Sequence, residues 1–145
     1  MFIERLLRLA RERLVTVIEH APLSQAAGLL ATRSDLVIVC NSTGRMTGVI
    51  TRTDVVRHVA EHGRAGAEAV ASVMTRDVVF CQSNDTVGSV WERMKQRKLK
   101  NIPVVEAEFS PAGVLHARDL LQVLLEDSED EESMLRDYVM GVGYR

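Results

Sequence analysis

Gly48-Val49-Ile50-Thr51-Arg52-Thr53-Asp54 recurs one step of 65 residues later as Gly113-Val114-Leu115-His116-Ala117-Arg118-Asp119. A glycine, an apolar pair and a closing aspartate keep their places in both copies. The same step lays Val37-Ile38-Val39-Cys40 on Ile102-Pro103-Val104-Val105, two apolar runs of strand length and β-branched composition. With one residue inserted upstream, Leu23-Ser24-Gln25-Ala26-Ala27 falls on Val87-Gly88-Ser89-Val90-Trp91. A chain that repeats itself in this way folds as two copies of one supersecondary unit.

Each copy reads strand, helix, strand, strand, helix. Residues 15–18 and 78–81 favour a strand, and each is followed by a helix-start signal: Ala21-Pro22, because proline fits a first helical turn, and Ser83-Asn84-Asp85, because these side chains cap. Asn41-Ser42-Thr43-Gly44 and Phe109-Ser110-Pro111-Ala112-Gly113 supply turns between the second and third strands. Closing helices are expected near 53–62 and 118–138. The link Gly63-Arg64-Ala65-Gly66-Ala67 is short and flexible, so the halves must pack together. Phe2, Leu6, Leu9 or Ala10 and Leu14 recur at helical spacing with arginines on the other face, which predicts an extra N-terminal helix. The expected organisation is an N-terminal helix over 1–13, a first repeat over 14–62, a linker over 63–70, a second repeat over 71–126 and a C-terminal helical extension over 127–145.

Composition weighs against several classes. The 145 residues are 46% hydrophobic and 26% charged, enough for one compact domain or two intimately packed halves. With 18 Lys+Arg against 20 Asp+Glu, the chain lacks the basic excess that binding to DNA or RNA draws on. No apolar run reaches the roughly 20 residues that span a bilayer, and Arg5, Arg8, Arg11 and Arg13 interrupt the N-terminus where a signal peptide stays apolar. A cytoplasmic protein without a membrane partner is expected. Cys40 and Cys81 form no CxxC and read as small core hydrophobes of a reducing compartment.

Two β-α-β-β-α units, each closing on a Gly-apolar-apolar-x-x-x-Asp element, with Val73-Met74-Thr75-Arg76-Asp77-Val78 opening the second and Asn101-Ile102-Pro103-Val104-Val105 within it, resemble a tandem pair of CBS domains, a Bateman module, over roughly residues 14–126. The resemblance implies an α+β fold of two CBS repeats packed as a pseudo-twofold pair. It also implies a non-catalytic regulatory role, with AMP, ADP, ATP or S-adenosylmethionine bound in clefts between the repeats, no required cofactor, and a homodimer shaped as a flat disc that acts on a regulated protein the sequence does not name. In the first cleft Asp54 would accept bonds from ribose hydroxyls, with Thr51 and Thr53 beside a helix N-terminus that favours phosphate. By the family's geometry Phe80, Asn101 and Ile102 would enclose the adenine, and Lys100, with Arg97 or Lys98, would meet a phosphate. The second cleft departs from this pattern: His116 stands for Thr51, Arg118 for Thr53, and Asp35 for Lys100, so the cleft marked by His116, Arg118 and Asp119 is expected to be the weaker.

Competing readings attach to the same residues. Thr51 to Asp54 also forms a capping box, which stabilises a helix without any ligand, and a CBS-fold scaffold lacking ligand binding is the alternative function. His58-Val59-Ala60-Glu61-His62 fits the H-x-x-E-H pattern of inverted zinc peptidases, a remote metal-hydrolase reading that lacks an evident third ligand beside His58, Glu61 and His62. Neither His20 nor His116 has a nucleophile pattern nearby. The acidic run 126–132 sits between apolar stretches that end at Leu125 and resume at Met134, so the C-terminal helix is expected to extend past the repeat and to find its electrostatic complement in the basic N-terminal helix, within a subunit or across a dimer. Trp91 and Met94, one turn apart, read as packing residues.

Overall fold

A computed structural model describes residues 1–128. A short 3-10 turn, Ile3–Leu6, leads into α1, Leu7–Glu12. The first unit runs β1 Thr16–Ile18, α2 Leu23–Thr32, β2 Leu36–Cys40, β3 Met46–Thr51 and α3 Arg52–His62. The second runs β4 Cys81–Gln82, α4 Val87–Arg97, β5 Asn101–Val105, β6 Pro111–His116 and a helix over 117–128, termed α5. The expected extension over 127–145 lies, beyond residue 128, outside the described residues.

The two sheets are copies of each other. In each, the first strand pairs parallel with the second and the second antiparallel with the third. Even the register irregularity repeats, at Val39/Cys40 and at Val104/Val105. The apolar runs are continuous because both faces of the middle strands are covered. Val37 and Val39 face a core with Leu23, Ala26, Leu30 and Ile50, whereas Leu36, Ile38 and Cys40 join Met46, Val105 and Val114 in a separate cluster between the repeats. Each fully buried Leu, Ile or Val contributes about 1.5–3 kcal/mol. The cluster between the repeats therefore joins the halves.

The segments that precede the units are exchanged. Residues 1–13 pack on the second repeat: the Ile3 and Glu4 N–H groups donate to the Asp85 and Ser83 carbonyls, and Ile3 and Ala10 lie in the core of the second unit. Reciprocally, 68–75 pack on the first, where Leu23 N–H donates to the Glu68 carbonyl and Val49 pairs with Thr75. Gly113 and Gly48 mark the two crossings, since a side chain at Gly113 would meet the Ala10 backbone and one at Gly48 would meet Met74 and the Thr75 carbonyl.

Several local expectations are corrected. The strand expected over 78–81 shrinks to Cys81–Gln82, because Val78 and Phe80 turn toward the cluster between repeats. Pro22 is the N-cap of α2, one position before the helix, and offers no capping side chain; the linker supplies the missing acceptors, Glu68 O for Leu23 N–H and Gly66 O for Ser24 N–H. That bonding makes 66–68 a fastened strap where a flexible tether was expected. Thr86, beyond Ser83-Asn84-Asp85, caps α4 by accepting from Ser89 N–H. The second hairpin turns at Glu108 and Phe109, both at positive φ, while Pro111 to Gly113 lie within β6. Phe2 is exposed, and its neighbour Ile3 fills the core. As expected, Gly44 turns the first hairpin at φ 81°, with the Asn41 side-chain oxygen accepting from the Thr43 and Arg45 N–H groups. Met94 is buried, and Trp91 packs partly buried against the same core. Cys40 and Cys81 are buried free thiols, and burial pushes Cys81 up to about 12.

Candidate functional site

Thr51 ends β3 and is the N-cap of α3, with extended backbone and its hydroxyl facing the Asp54 N–H. Asp54 returns the bond: its Oδ2 accepts from Thr51 N–H at 3.0 Å and from the Thr51 hydroxyl at 3.1 Å. Its Oδ1 accepts from the Thr75 hydroxyl at 3.0 Å and lies 3.5 Å from the Arg57 guanidinium. The capping box is thus formed, and the buried carboxylate accepts three hydrogen bonds beside the Arg57 guanidinium. Thr75 belongs to the exchanged segment 68–75, so Asp54 ties α3 to that segment.

The equivalent corner of the second repeat is built with different chemistry. Asp119 accepts from His116 N–H at 2.8 Å, and the Arg13 guanidinium grips both carboxylate oxygens, with Nη2 2.9 Å from Oδ1. A guanidinium from the first exchanged segment stands where a hydroxyl from the other stands in repeat one. His116 Nδ1 accepts from Arg118 N–H at 3.1 Å. Burial, with the nearby Arg118 charge, holds the His116 imidazole below its ordinary value.

Two cavities open between the repeats beside these corners, and a third, about 610 Å³, is lined by Asp54 itself with Arg57, His58 and Glu68. The larger, about 680 Å³, lies where the start of α3 faces 97–101 and 77–79 of the second repeat. It brings together Thr51, Thr53, Lys100 and Asn101 of the expected first cleft, along with Arg97 and Lys98. Asp54 is absent from this lining and belongs to that of the third cavity. Ile102 is fully buried in the core of the second repeat, and Phe80 packs edge-on against Phe109 with ring centres 5.2 Å apart, beside a smaller hollow. The second cavity, about 380 Å³, contains His116 and Arg118 of the expected second cleft, while Asp119 stays behind them in the grip of Arg13.

Three contributors escaped the sequence reading. Arg52, inside the quoted motif, lines both cavities; its guanidinium donates to the Leu30 carbonyl at 2.9 Å and to Asp35 at 2.6 Å. The charge of Asp35, expected to repel phosphate, is thereby neutralised. The signal was a charge exchange between repeats: Arg52 with Asp35 in the first becomes Ala117 with Lys100 in the second. Thr75 and Arg13 carried no signal, because each acts across the exchange.

The His58, Glu61 and His62 cluster is committed otherwise. His58 Nε2 lies 3.0 Å from Glu68, the two imidazoles stack with centres 4.3 Å apart, and the Gly66 N–H bond holds the Glu68 carboxyl below its usual range. Among the described residues no group of three His, Cys, Asp or Glu is arranged to hold a metal ion. Nor is any described helix long and apolar enough to cross a membrane.

The family model of the CBS domain matches residues 6–61 and 70–126. A CBS-domain-containing protein of Agrobacterium tumefaciens has a crystal structure that superposes with a TM-score of 0.72 at 32% identity, covering 85% of this chain and 98% of that one. The CBS domain pair of protein MJ0100, solved in complex with 5-methylthioadenosine and S-adenosyl-L-methionine, shares the fold with a TM-score of 0.70 at 16% identity over 88% of this chain and 98% of that one. The gamma-3 subunit of the 5'-AMP-activated protein kinase of Sus scrofa is 26% identical over 120 residues, 77% of this chain and 23% of its own length. The curated relatives are much longer proteins, of which this chain spans 14% to 24%.

Proposed function

The chain belongs to the CBS-domain family, and from that premise we propose that it is a regulatory, non-catalytic module that senses an adenosine-containing ligand, AMP, ADP, ATP or S-adenosylmethionine, in the larger cavity between its repeats. The observation that carries the reading is the composition of that cavity. Leu36, Val49, Val78, Val79 and Pro103 give a base an apolar bed, Thr51, Thr53 and Asn101 offer partners to a ribose, and Arg97, Lys98 and Lys100 stand at the rim for an anionic group. Its volume is within the range of small-molecule sites, roughly 300–1,000 Å³. Asp54 holds the Thr75 hydroxyl of the exchanged segment at 3.0 Å, so a ribose that draws on this carboxylate acts on that segment as well. Occupancy then favours one relative arrangement of the halves and changes the surface offered to a regulated protein.

A second copy of the chain is proposed as the partner of the closing helices. Val56 on α3 and Leu121 on α5 are equivalent by the step of 65 and both exposed, with Val59 and Leu125 beside them. A sedimentation coefficient of a monomer at micromolar concentration would contradict this dimer.

The ligand reading is tested by thermal shift with AMP, ADP, ATP, S-adenosylmethionine and NAD on the wild type, Thr53→Ala and Asp119→Ala. Ligand at about 100 times its dissociation constant adds about 2.7 kcal/mol. A shift lost in Thr53→Ala and kept in Asp119→Ala supports the larger cavity; no shift with any compound leaves the scaffold function.

A further inference from the structure

A hollow of about 300 Å³ opens near the two hairpin turns, at the end of β3 far from α3. Met46 and Thr47, which open β3, line it with Phe109 of the second turn and with 76–78 and Phe80. Asp77 and Val78 stand between this hollow and the larger cavity, and beyond them successive side chains part, Val79 to the larger cavity and Phe80 to the hollow. The two phenylalanine rings meet edge-on, and Phe109 remains 48% exposed. Glu108 and Phe109 both hold a φ of 59°, a left-handed conformation that is strained for a bulky side chain, and Arg45 of the other hairpin clasps Glu108 at 3.0 Å. The duplication shows that the fold itself does not require these rings. Val17 lies opposite Val39 as Cys81 lies opposite Val104, so Thr16 stands for Phe80, and the step of 65 puts Gly44 in place of Phe109. Two charges flank the rings. Arg76 donates one N–H to the Ala71 carbonyl at 3.2 Å, and among the described residues neither Arg76 nor Asp77 has an oppositely charged side chain within 4.0 Å.

From these observations we propose that the hollow binds a free aromatic amino acid, its ring against Phe80, Phe109 and Met46, its carboxylate at Arg76 and its ammonium at Asp77. The inference adds a second ligand class to the adenosine reading and does not rest on it. Aromatic rings attract one another edge to face, and a methionine sulfur adds to the bed. The remaining guanidinium N–H groups of Arg76 suit a carboxylate through paired, charge-assisted bonds. Adjacent opposite charges select a zwitterion, because a plain carboxylate is repelled at Asp77 and a plain amine at Arg76. The volume stands at the lower end of small-molecule sites, roughly 300–1,000 Å³, which admits one ring with a short polar tail.

The experiment is calorimetric titration of L-phenylalanine, L-tyrosine and L-tryptophan into the full chain, into Arg76→Gln and into Phe109→Gly, with L-leucine, phenethylamine and 3-phenylpropionate as probes of ring, carboxylate and ammonium. Both substitutions fall on exposed positions, and glycine accepts the positive φ at 109 without strain. The expected result is one aromatic amino acid per chain with a dissociation constant below about 1 mM, at least about tenfold weaker binding of the three probes, and a loss of about tenfold or more in each variant. Absence of saturable binding by all three aromatic amino acids, L-leucine binding as well as L-phenylalanine, or affinity indifferent to both substitutions would overturn the inference. AMP affinity reduced by Phe109→Gly as much as the amino acid's would assign the hollow to the adenosine site and overturn it as well.

Discussion

Replacing Gly113 by alanine tests the exchange of N-terminal segments. An ideal Cβ at Gly113 falls within 2.5 Å of the Ala10 Cβ and carbonyl oxygen. Carbon atoms pack at roughly 3.5–4.0 Å, so α1 must retreat by about 1 Å. Backbone cannot rotate out of the way as a side-chain end can. Forcing atoms into a packed core costs about 1–3 kcal/mol, and a retreat that loosens Arg13 from the buried Asp119 approaches the 3–5 kcal/mol of a broken buried pair. Gly113→Ala is therefore expected to lose about 3 kcal/mol. Gly28 supplies the control: it lies within α2 with nothing within 4 Å of an added Cβ, and Gly28→Ala should gain about 0.5–1 kcal/mol from helix propensity. Urea denaturation of both variants, read as midpoints at constant slope, decides the matter. Equal midpoints for Gly113→Ala and the wild type would show that α1 does not sit on β6.

Other expectations follow from the same contacts. Arg13→Ala strands the Asp119 carboxylate in a buried corner and should lose about 3–5 kcal/mol in urea melts, with a smaller loss in an Asp119→Asn background; equal losses in both backgrounds would deny the pair. Because the folded chain holds the His116 imidazole below its ordinary 6.5, the unfolded chain takes up that proton first, so stability is full above about pH 6.5 and declines as the pH falls toward the folded value. His116→Gln should flatten that part of the stability profile, and a variant that retains the full decline would place its origin elsewhere. Cys81, buried and pushed up to about 12, should react with a thiol reagent only at the rate of unfolding, and fast labelling of the native protein would contradict its burial.

The duplicated organisation was legible because one step of 65 carries strands, register and the closing motif together; Val39/Cys40 and Val104/Val105 even slip at the same place. Local signals were less dependable where tertiary contacts replace them. Pro22 cannot cap α2, yet the helix starts there because Gly66 and Glu68 supply acceptors from the far side of the repeat. Phe80 belongs by composition to a strand but turns to Phe109. Thr51 and Thr53, named from the motif, and Lys100 and Asn101, named from the family resemblance, line the larger cavity, and His116 and Arg118, named by the repeat, line the smaller. The partners of the two aspartates were not legible: Thr75 and Arg13 reach them only because each preceding segment crosses to the other repeat, and no local periodicity records that crossing.

The most direct test of the adenosine site is calorimetric titration of AMP and S-adenosylmethionine into the wild type and Lys100→Glu, a reversal of charge at the rim of the larger cavity that disturbs no core residue. The account predicts saturable binding of at least one of them to the wild type and, for AMP, a loss of about tenfold or more in the variant. Heat traces flat for both compounds against the wild type, or AMP binding indifferent to Lys100→Glu, would contradict it.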